Sequence, residues 1–121
     1  MFLKEFIDIC KKVKMVLLDG KQTSQKITER IKKDVANLTQ SSKRPPHLGA
    51  ILVGDNPASQ VYVRNKIRLC DKVGFDSMVI RLPVDIQEEE LIAQVEKWNA
   101  ESHLDGYIVQ FPLPAHIHVD R

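Results

Sequence analysis

The sequence predicts an α/β fold, a three-layer α/β/α domain around a largely parallel sheet. Three observations predict it. Apolar runs recur at Leu48–Val53, Ser77–Leu82 and Leu104–Gln110, each of strand length. Between them lie stretches whose apolar residues repeat every three to four positions, the helical period. Proline and glycine separate the runs from the stretches, at Pro45-Pro46, Gly74 and Pro112–Pro114. Strands alternating with helices are the signature of a parallel sheet covered on both faces.

The chain has 121 residues, enough for one domain with a real core. Eighteen basic and sixteen acidic side chains leave a net charge of +2, too balanced for nucleic acid or an anionic membrane as the main partner. No apolar run approaches the roughly 20 residues that a membrane span needs. Cys10 and Cys70 have neither metal-ligand spacing nor the density of a disulfide framework, so a reducing cytoplasm is expected.

Residues 1–14 are expected to form a helical extension packed on the domain, with Leu3, Phe6, Ile7, Cys10 and Val13 at helical spacing. Glu5 and Asp8 argue against a secretory signal, and the lack of arginine argues against a transit peptide. Met15 is an alternative start, and the domain proper is placed at residues 15–121.

A first domain helix is expected to begin near Thr23 or Ser24, either of which can cap it, with Ile27, Ile31, Val35 and Leu38 along one side. The charge-rich stretch Glu29 to Asp34 reads as its solvated face. After the break at residues 41–46, Leu48–Val53 reads as a strand covered on both faces. Asn56 is suited to cap the next helix, Pro57 to its first turn and Gly74 to its end. Beyond the second strand, Asp85 and Glu88 form a variant capping box for a helix carrying Leu91, Ile92, Val95 and Trp98. The third strand runs into Phe111-Pro112-Leu113-Pro114, where two prolines forbid a further regular element.

The helix after Asn56 contains the candidate site. At about 100° per residue, Tyr62, Lys66, Leu69 and Val73 fall on one face, with Ser59 and Cys70 at its edge. A lysine in such a stripe needs a reason, because lysine is rarely fully buried and is a common acid/base group when it is. The bland alternative is an apolar stem with its head snorkelling to water, which periodicity alone favours. In parallel sheets ligands bind beyond the carboxyl ends of the strands, so Tyr62, Lys66 and Gln110 can converge on one cleft.

The Tyr62-x-x-x-Lys66 spacing also occurs in short-chain dehydrogenases. The five glycines here contain no G-x-G-x-x-G and no P-loop, so that reading fails. His116 and His118 can share one side of an extended segment, but without a third ligand no metal site is expected. His47 and His103 read as surface residues.

Several segments together resemble one family. Val53-Gly54-Asp55-Asn56-Pro57-Ala58-Ser59, then Tyr62-Val63, Lys66, Cys70 and Gly74, resemble the first signature of the methylenetetrahydrofolate dehydrogenase/cyclohydrolase family. Asp105-Gly106-Tyr107-Ile108-Val109-Gln110-Phe111-Pro112-Leu113-Pro114 resembles its second, with Phe111 where leucine is common. Leu18-Asp19-Gly20-Lys21 resembles its opening. The resemblance runs from Met15 to about Val119, under half of a typical member, and the family's downstream folate-binding aspartate segment, Rossmann domain and terminal helix have no counterpart in it.

The resemblance implies a one-carbon folate enzyme that oxidises methylene-tetrahydrofolate with NADP and hydrolyses the methenyl product to formyl-tetrahydrofolate. Lys66 would be the principal catalytic residue, Tyr62 would stack on the aminobenzoyl part of folate, and Gln110 would bond the lysine and help set its protonation. Ser59, Pro112, Leu113 and Pro114 would shape the pocket. The family implies a homodimer for full-length members. The competing expectation is a non-catalytic folate-binding or interaction module, motivated by the lack of any nucleotide loop.

Overall fold

The computed structural model describes residues 2–12, 16–41 and 43–118. The chain divides into two compact units, Met1–Arg30 and Ile31–Arg121. In the first unit, helix α1 spans Phe2–Lys12, as its apolar spacing predicts. Phe2, Leu3, Phe6 and Ile9 on this helix are exposed. The expected extension to Lys14 and the alternative start at Met15 lie outside the described residues.

Helix α2 spans Gly20–Gln40 and starts earlier than the Thr23 or Ser24 expected. The Asp19 carboxylate accepts from the Gln22 amide at 2.9 Å, so it satisfies one of the amides that a helix start leaves unbonded. Thr23 and Ser24 have the same capping chemistry, but Asp19 reaches the first turn before them.

The second unit contains the rest of α2, then β1 (His47–Val53), α3 (Pro57–Val73), β2 (Asp76–Leu82), α4 (Glu88–Asn99) and β3 (Gly106–Gln110). Their sheet is parallel, in the order β2-β1-β3. Alternate side chains of a strand face opposite ways, and β1 uses both faces for core. Ala50 and Leu52 pack with Val63 and Ile67 of α3, whereas Ile51 and Val53 pack with Leu91, Val95 and Trp98 of α4. The three layers follow from this alternation. Ala50, Ile51 and Leu52 are fully buried, and burying a side chain such as Ile51 or Leu52 stabilises by about 1.5–3 kcal/mol. The edge strands β2 and β3 are only half-buried along most of their length.

The capping box of α4 sits two residues later than expected. Gln87 precedes the helix and its amide donates to the Glu90 carboxylate at 3.1 Å, in place of the Asp85 and Glu88 pair. Both pairs have the three-residue spacing the motif requires. Glu88 is instead buried, and its carboxylate accepts from the His118 amide at 2.7 Å.

Strand β3 is shorter than the predicted 104–110, because Asp105 has another task. Its carboxylate takes two parallel hydrogen bonds from the Arg44 guanidinium, at 2.6 and 3.0 Å, and a third from the His47 amide at 2.8 Å. The amide of Asp105 donates to the His47 carbonyl at 3.0 Å, so the entrances of β1 and β3 are tied together. The Arg44 bonds, then the His47 amide, hold the Asp105 carboxyl at about 2, below its ordinary 3.8.

Because the folded value is the lower one, this stabilisation is present above the unfolded value and is lost as pH falls from about 4 through about 2. Asp105→Asn should therefore unfold at a lower temperature than the parent at neutral pH. The gap should be modest for so exposed a pair. It should close between about pH 4 and pH 2 in thermal melts; a gap independent of pH would contradict the assignment.

Candidate active site

The site is built at the start of α3 and the end of β3. Asn56 caps α3 as predicted, its side-chain oxygen accepting from the Ser59 amide at 3.1 Å, and Pro57 opens the helix. Gly74 ends it with φ +87, a left-handed conformation that glycine adopts without strain. Replacing Asn56 with alanine should lower stability by about 0.5–2 kcal/mol, read from urea midpoints, and Asn56→Asp should recover most of it.

The buried line of α3 differs from the predicted face. Ser59, Val63, Cys70 and Val73 are buried, with Ile67 half-buried between them. Tyr62 and Leu69, assigned to the buried face from periodicity, are 57% and 53% exposed. The helix is thus rotated by roughly 70° from the expected setting, less than one residue's turn, and Val73 belongs to both lines. Lys66 lies half-buried at the border of the buried line, not inside it. Burial, assisted by the Asp71 carboxylate, pushes the Cys70 thiol up, which suits a core residue and not a nucleophile.

Lys66 Nζ donates to Gln110 Oε1 at 3.2 Å, joining α3 to the last residue of β3. The same ammonium stands 5.9 Å from the centre of the Tyr62 ring, within the range of a cation–π contact. Gln110 Nε2 donates to the Phe111 carbonyl at 2.8 Å. The Ser59 hydroxyl donates to that same carbonyl at 3.0 Å. Phe111–Pro112 is a cis peptide bond. Four of the predicted site residues therefore come together: Ser59, Tyr62, Lys66 and Gln110.

The other three, Pro112, Leu113 and Pro114, border a separate open cavity of about 290 Å³ beyond the end of β1, with Gly54, Asn56 and Val84. Phe111, between the two groups, is 52% exposed. The Phe111 carbonyl is the functional group that sequence reading missed. Asn56 was recognised as a cap, but nothing in the sequence marks a backbone carbonyl as a hydrogen-bond node.

The topology explains the location. β1 and β3 are neighbours. The chain leaves β1 into α3 on one face of the sheet. After β3 it continues to Ile117, which is buried with Leu91 and Trp98 on the other. Adjacent strands whose connections diverge open a crevice at their carboxyl ends, the usual ligand position in such sheets. The Lys66–Gln110 bond lies at that end of β3.

The remaining candidates have structural partners. The His116 ring bonds the Ile86 carbonyl at 2.8 Å, and the His47 ring bonds the His103 carbonyl at 3.1 Å. Among the described residues no group of three or more His, Cys, Asp or Glu is placed to hold a metal ion. No described helix is long and apolar enough to cross a membrane.

A sequence profile described as tetrahydrofolate dehydrogenase/cyclohydrolase, catalytic domain, matches residues 18–121. The bifunctional protein FolD of Aquifex aeolicus is 48% identical over 106 residues, 88% of this chain and 36% of that protein. The structure of the bifunctional enzyme FolD, methylenetetrahydrofolate dehydrogenase/cyclohydrolase, from Campylobacter jejuni superposes with a TM-score of 0.83 at 42% identity, covering 87% of this chain and 37% of that one. The Trypanosoma brucei enzyme, solved with NADP cofactor and an inhibitor, gives a TM-score of 0.78 at 33% identity, over 84% and 35% of the two chains. With a profile matched along almost its whole length, the chain belongs to the tetrahydrofolate dehydrogenase/cyclohydrolase family, as its catalytic domain. It spans little more than a third of the length of these relatives.

NADP, named for the trypanosomal complex, does not fit the helix start at this site. The helix start at the crevice carries an asparagine cap and a proline, and Ser59 is turned inward to Phe111, so no glycine-rich cradle approaches a pyrophosphate there.

Proposed function

We propose that this chain forms the folate-facing part of a one-carbon enzyme that oxidises methylene-tetrahydrofolate and hydrolyses the methenyl product to formyl-tetrahydrofolate. The observation that carries the reading is the Lys66–Gln110 bond at the end of β3, with the Tyr62 ring beside the ammonium. Lys66 is the proton-transferring group. Tyr62, exposed at the crevice, offers its face to the aminobenzoyl ring of folate. Gln110 holds the lysine in place, buried Ser59 supports it from behind, and Pro112, Leu113 and Pro114 wall the neighbouring cavity beyond β1.

Hydrolysis needs two proton movements. Water adds to the electrophilic methenyl carbon and gives up one proton as the C–O bond forms. The remaining O–H proton of the adduct is then moved to the ring nitrogen, so that the formyl carbonyl forms as the C–N bond breaks, and the first proton is released to water. In its neutral form the Lys66 amine can take a proton from the attacking water or its adduct, and as the ammonium it can return one. Oxidation of the methylene form requires a hydride acceptor, and no step through NADP is assigned to these residues. The ordered lysine, glutamine and tyrosine support catalysis over the non-catalytic module. A homodimer, implied for full-length members, and a cytoplasmic setting, supported by the buried free Cys70, complete the reading.

Following methenyl-tetrahydrofolate hydrolysis without any nicotinamide nucleotide tests the proposal, since water is the only co-reactant. A rate above the uncatalysed one that depends on Lys66 is expected. A rate indifferent to Lys66 would refute the assignment.

A further inference from the structure

Ser59 is 1% exposed, yet it is polar and does not touch Lys66. Its amide is satisfied by the Asn56 cap at 3.1 Å. Its hydroxyl has a single proton and two candidate acceptors, the Phe111 carbonyl at 3.0 Å and the Asn56 oxygen at 3.4 Å. The shorter bond takes the proton, because the longer lies at the limit of a hydrogen bond and that oxygen already receives the Ser59 amide. The Phe111 carbonyl thus accepts twice, from Ser59 Oγ and from Gln110 Nε2 at 2.8 Å, which uses both of its lone pairs.

This arrangement determines which end of the Gln110 carboxamide faces the lysine. An ammonium can only donate, so it needs the amide oxygen. With Nε2 held by the Phe111 carbonyl, Oε1 is presented to Lys66 Nζ at 3.2 Å. The flipped amide would set oxygen against the carbonyl oxygen and NH₂ against the ammonium, two repulsive pairings in place of two bonds.

We propose that Ser59 is a positioning residue: its hydroxyl fixes the Phe111 carbonyl, which locks the Gln110 carboxamide with its oxygen toward Lys66. The proposal deepens the hydrolytic reading above and rests on it for its consequence. Without the latch, Gln110 samples orientations that do not hold the lysine.

The direct test is exchange of the Gln110 carboxamide protons with water, followed by NMR in the full chain. Ser59→Ala should speed it roughly 3- to 10-fold, the effect of losing one supporting hydrogen bond, while backbone amides of Ile67 and Cys70 keep their protection. Unchanged Gln110 exchange in the folded variant overturns the proposal. In the unsubstituted chain the buried Ser59 hydroxyl proton should exchange slowly enough to be seen, with a nuclear Overhauser contact to the Gln110 carboxamide. Its absence overturns the proposal even if Ser59→Ala does not fold.

Kinetics give the second arm. Ser59→Ala should lower kcat for hydrolysis with little change in KM, and should have no further effect once Gln110 is alanine. Independent, multiplicative losses in the double variant would make Ser59 merely structural and sink the latch, with Lys66 still essential. A hydrolysis rate unaffected by Lys66→Met would sink the hydrolytic reading instead, leaving the exchange result to stand on its own.

Discussion

Lys66→Met is expected to lower methenyl-tetrahydrofolate hydrolysis by about 10²–10⁴-fold, the usual value of a positioned acid/base group. A thousandfold loss corresponds to about 4 kcal/mol of transition-state stabilisation. Methionine is the informative replacement because it keeps a long unbranched stem along the half-buried border of α3 while removing the donor to Gln110. Thermal stability should therefore change little, and the loss should appear in the rate. If Lys66 only snorkels, the same variant should hydrolyse at nearly the parent rate. Lys66→Arg separates charge from proton transfer. A guanidinium keeps the cation but does not give up its proton near neutral pH, so it should be nearly as slow. A fast arginine variant would mean that the site needs positive charge and no proton carrier.

The setting of Lys66 marks the boundary of what the sequence reveals. Helix α3 was legible at both ends, since Asn56, Pro57 and Gly74 have local roles that need no tertiary partner. Its buried side was not. Tyr62, Leu69 and Val73 make one stripe; Ser59, Val63, Cys70 and Val73 make another that overlaps it at Val73. Periodicity cannot choose between them when apolar residues populate both. The choice is made by Ala50 and Leu52, which accept Val63 and Ile67 from across the layer.

A similar ambiguity moved the two caps. Asp19 preceded Thr23 in one case and Gln87 replaced Asp85 in the other, because several neighbouring residues share one chemistry. The meeting of Tyr62, Lys66 and Gln110 was legible from the strand–helix order and the rule that ligands sit at carboxyl ends. The Phe111 carbonyl, which organises Ser59 and Gln110, had no sequence signal because every residue has a carbonyl.

The second large effect is expected in the core beneath α4. Trp98 is 5% exposed and lies across β1 so closely that a Cβ at Gly49 would come within 2.6 Å of its ring. The ring has little freedom to retreat. It meets Tyr107 edge-on, with centres 5.6 Å apart and planes at 70°, and the Tyr107 hydroxyl donates to Asn99 at 2.6 Å. Trp98→Ala should cost about 3–5 kcal/mol through lost burial and the cavity left behind. That is a large part of the roughly 5–15 kcal/mol that holds a domain of this size together. Gly49→Ala should cost about 1–3 kcal/mol for the opposite reason, an added carbon with no space. The two positions should also be coupled. In a Trp98→Leu background the aromatic edge over Gly49 is gone, so Gly49→Ala should become nearly neutral, with a coupling of about 1–3 kcal/mol in a double-mutant cycle. Urea denaturation of the four proteins measures it. Additive losses would mean that Gly49 is required by its backbone and not by the tryptophan above it.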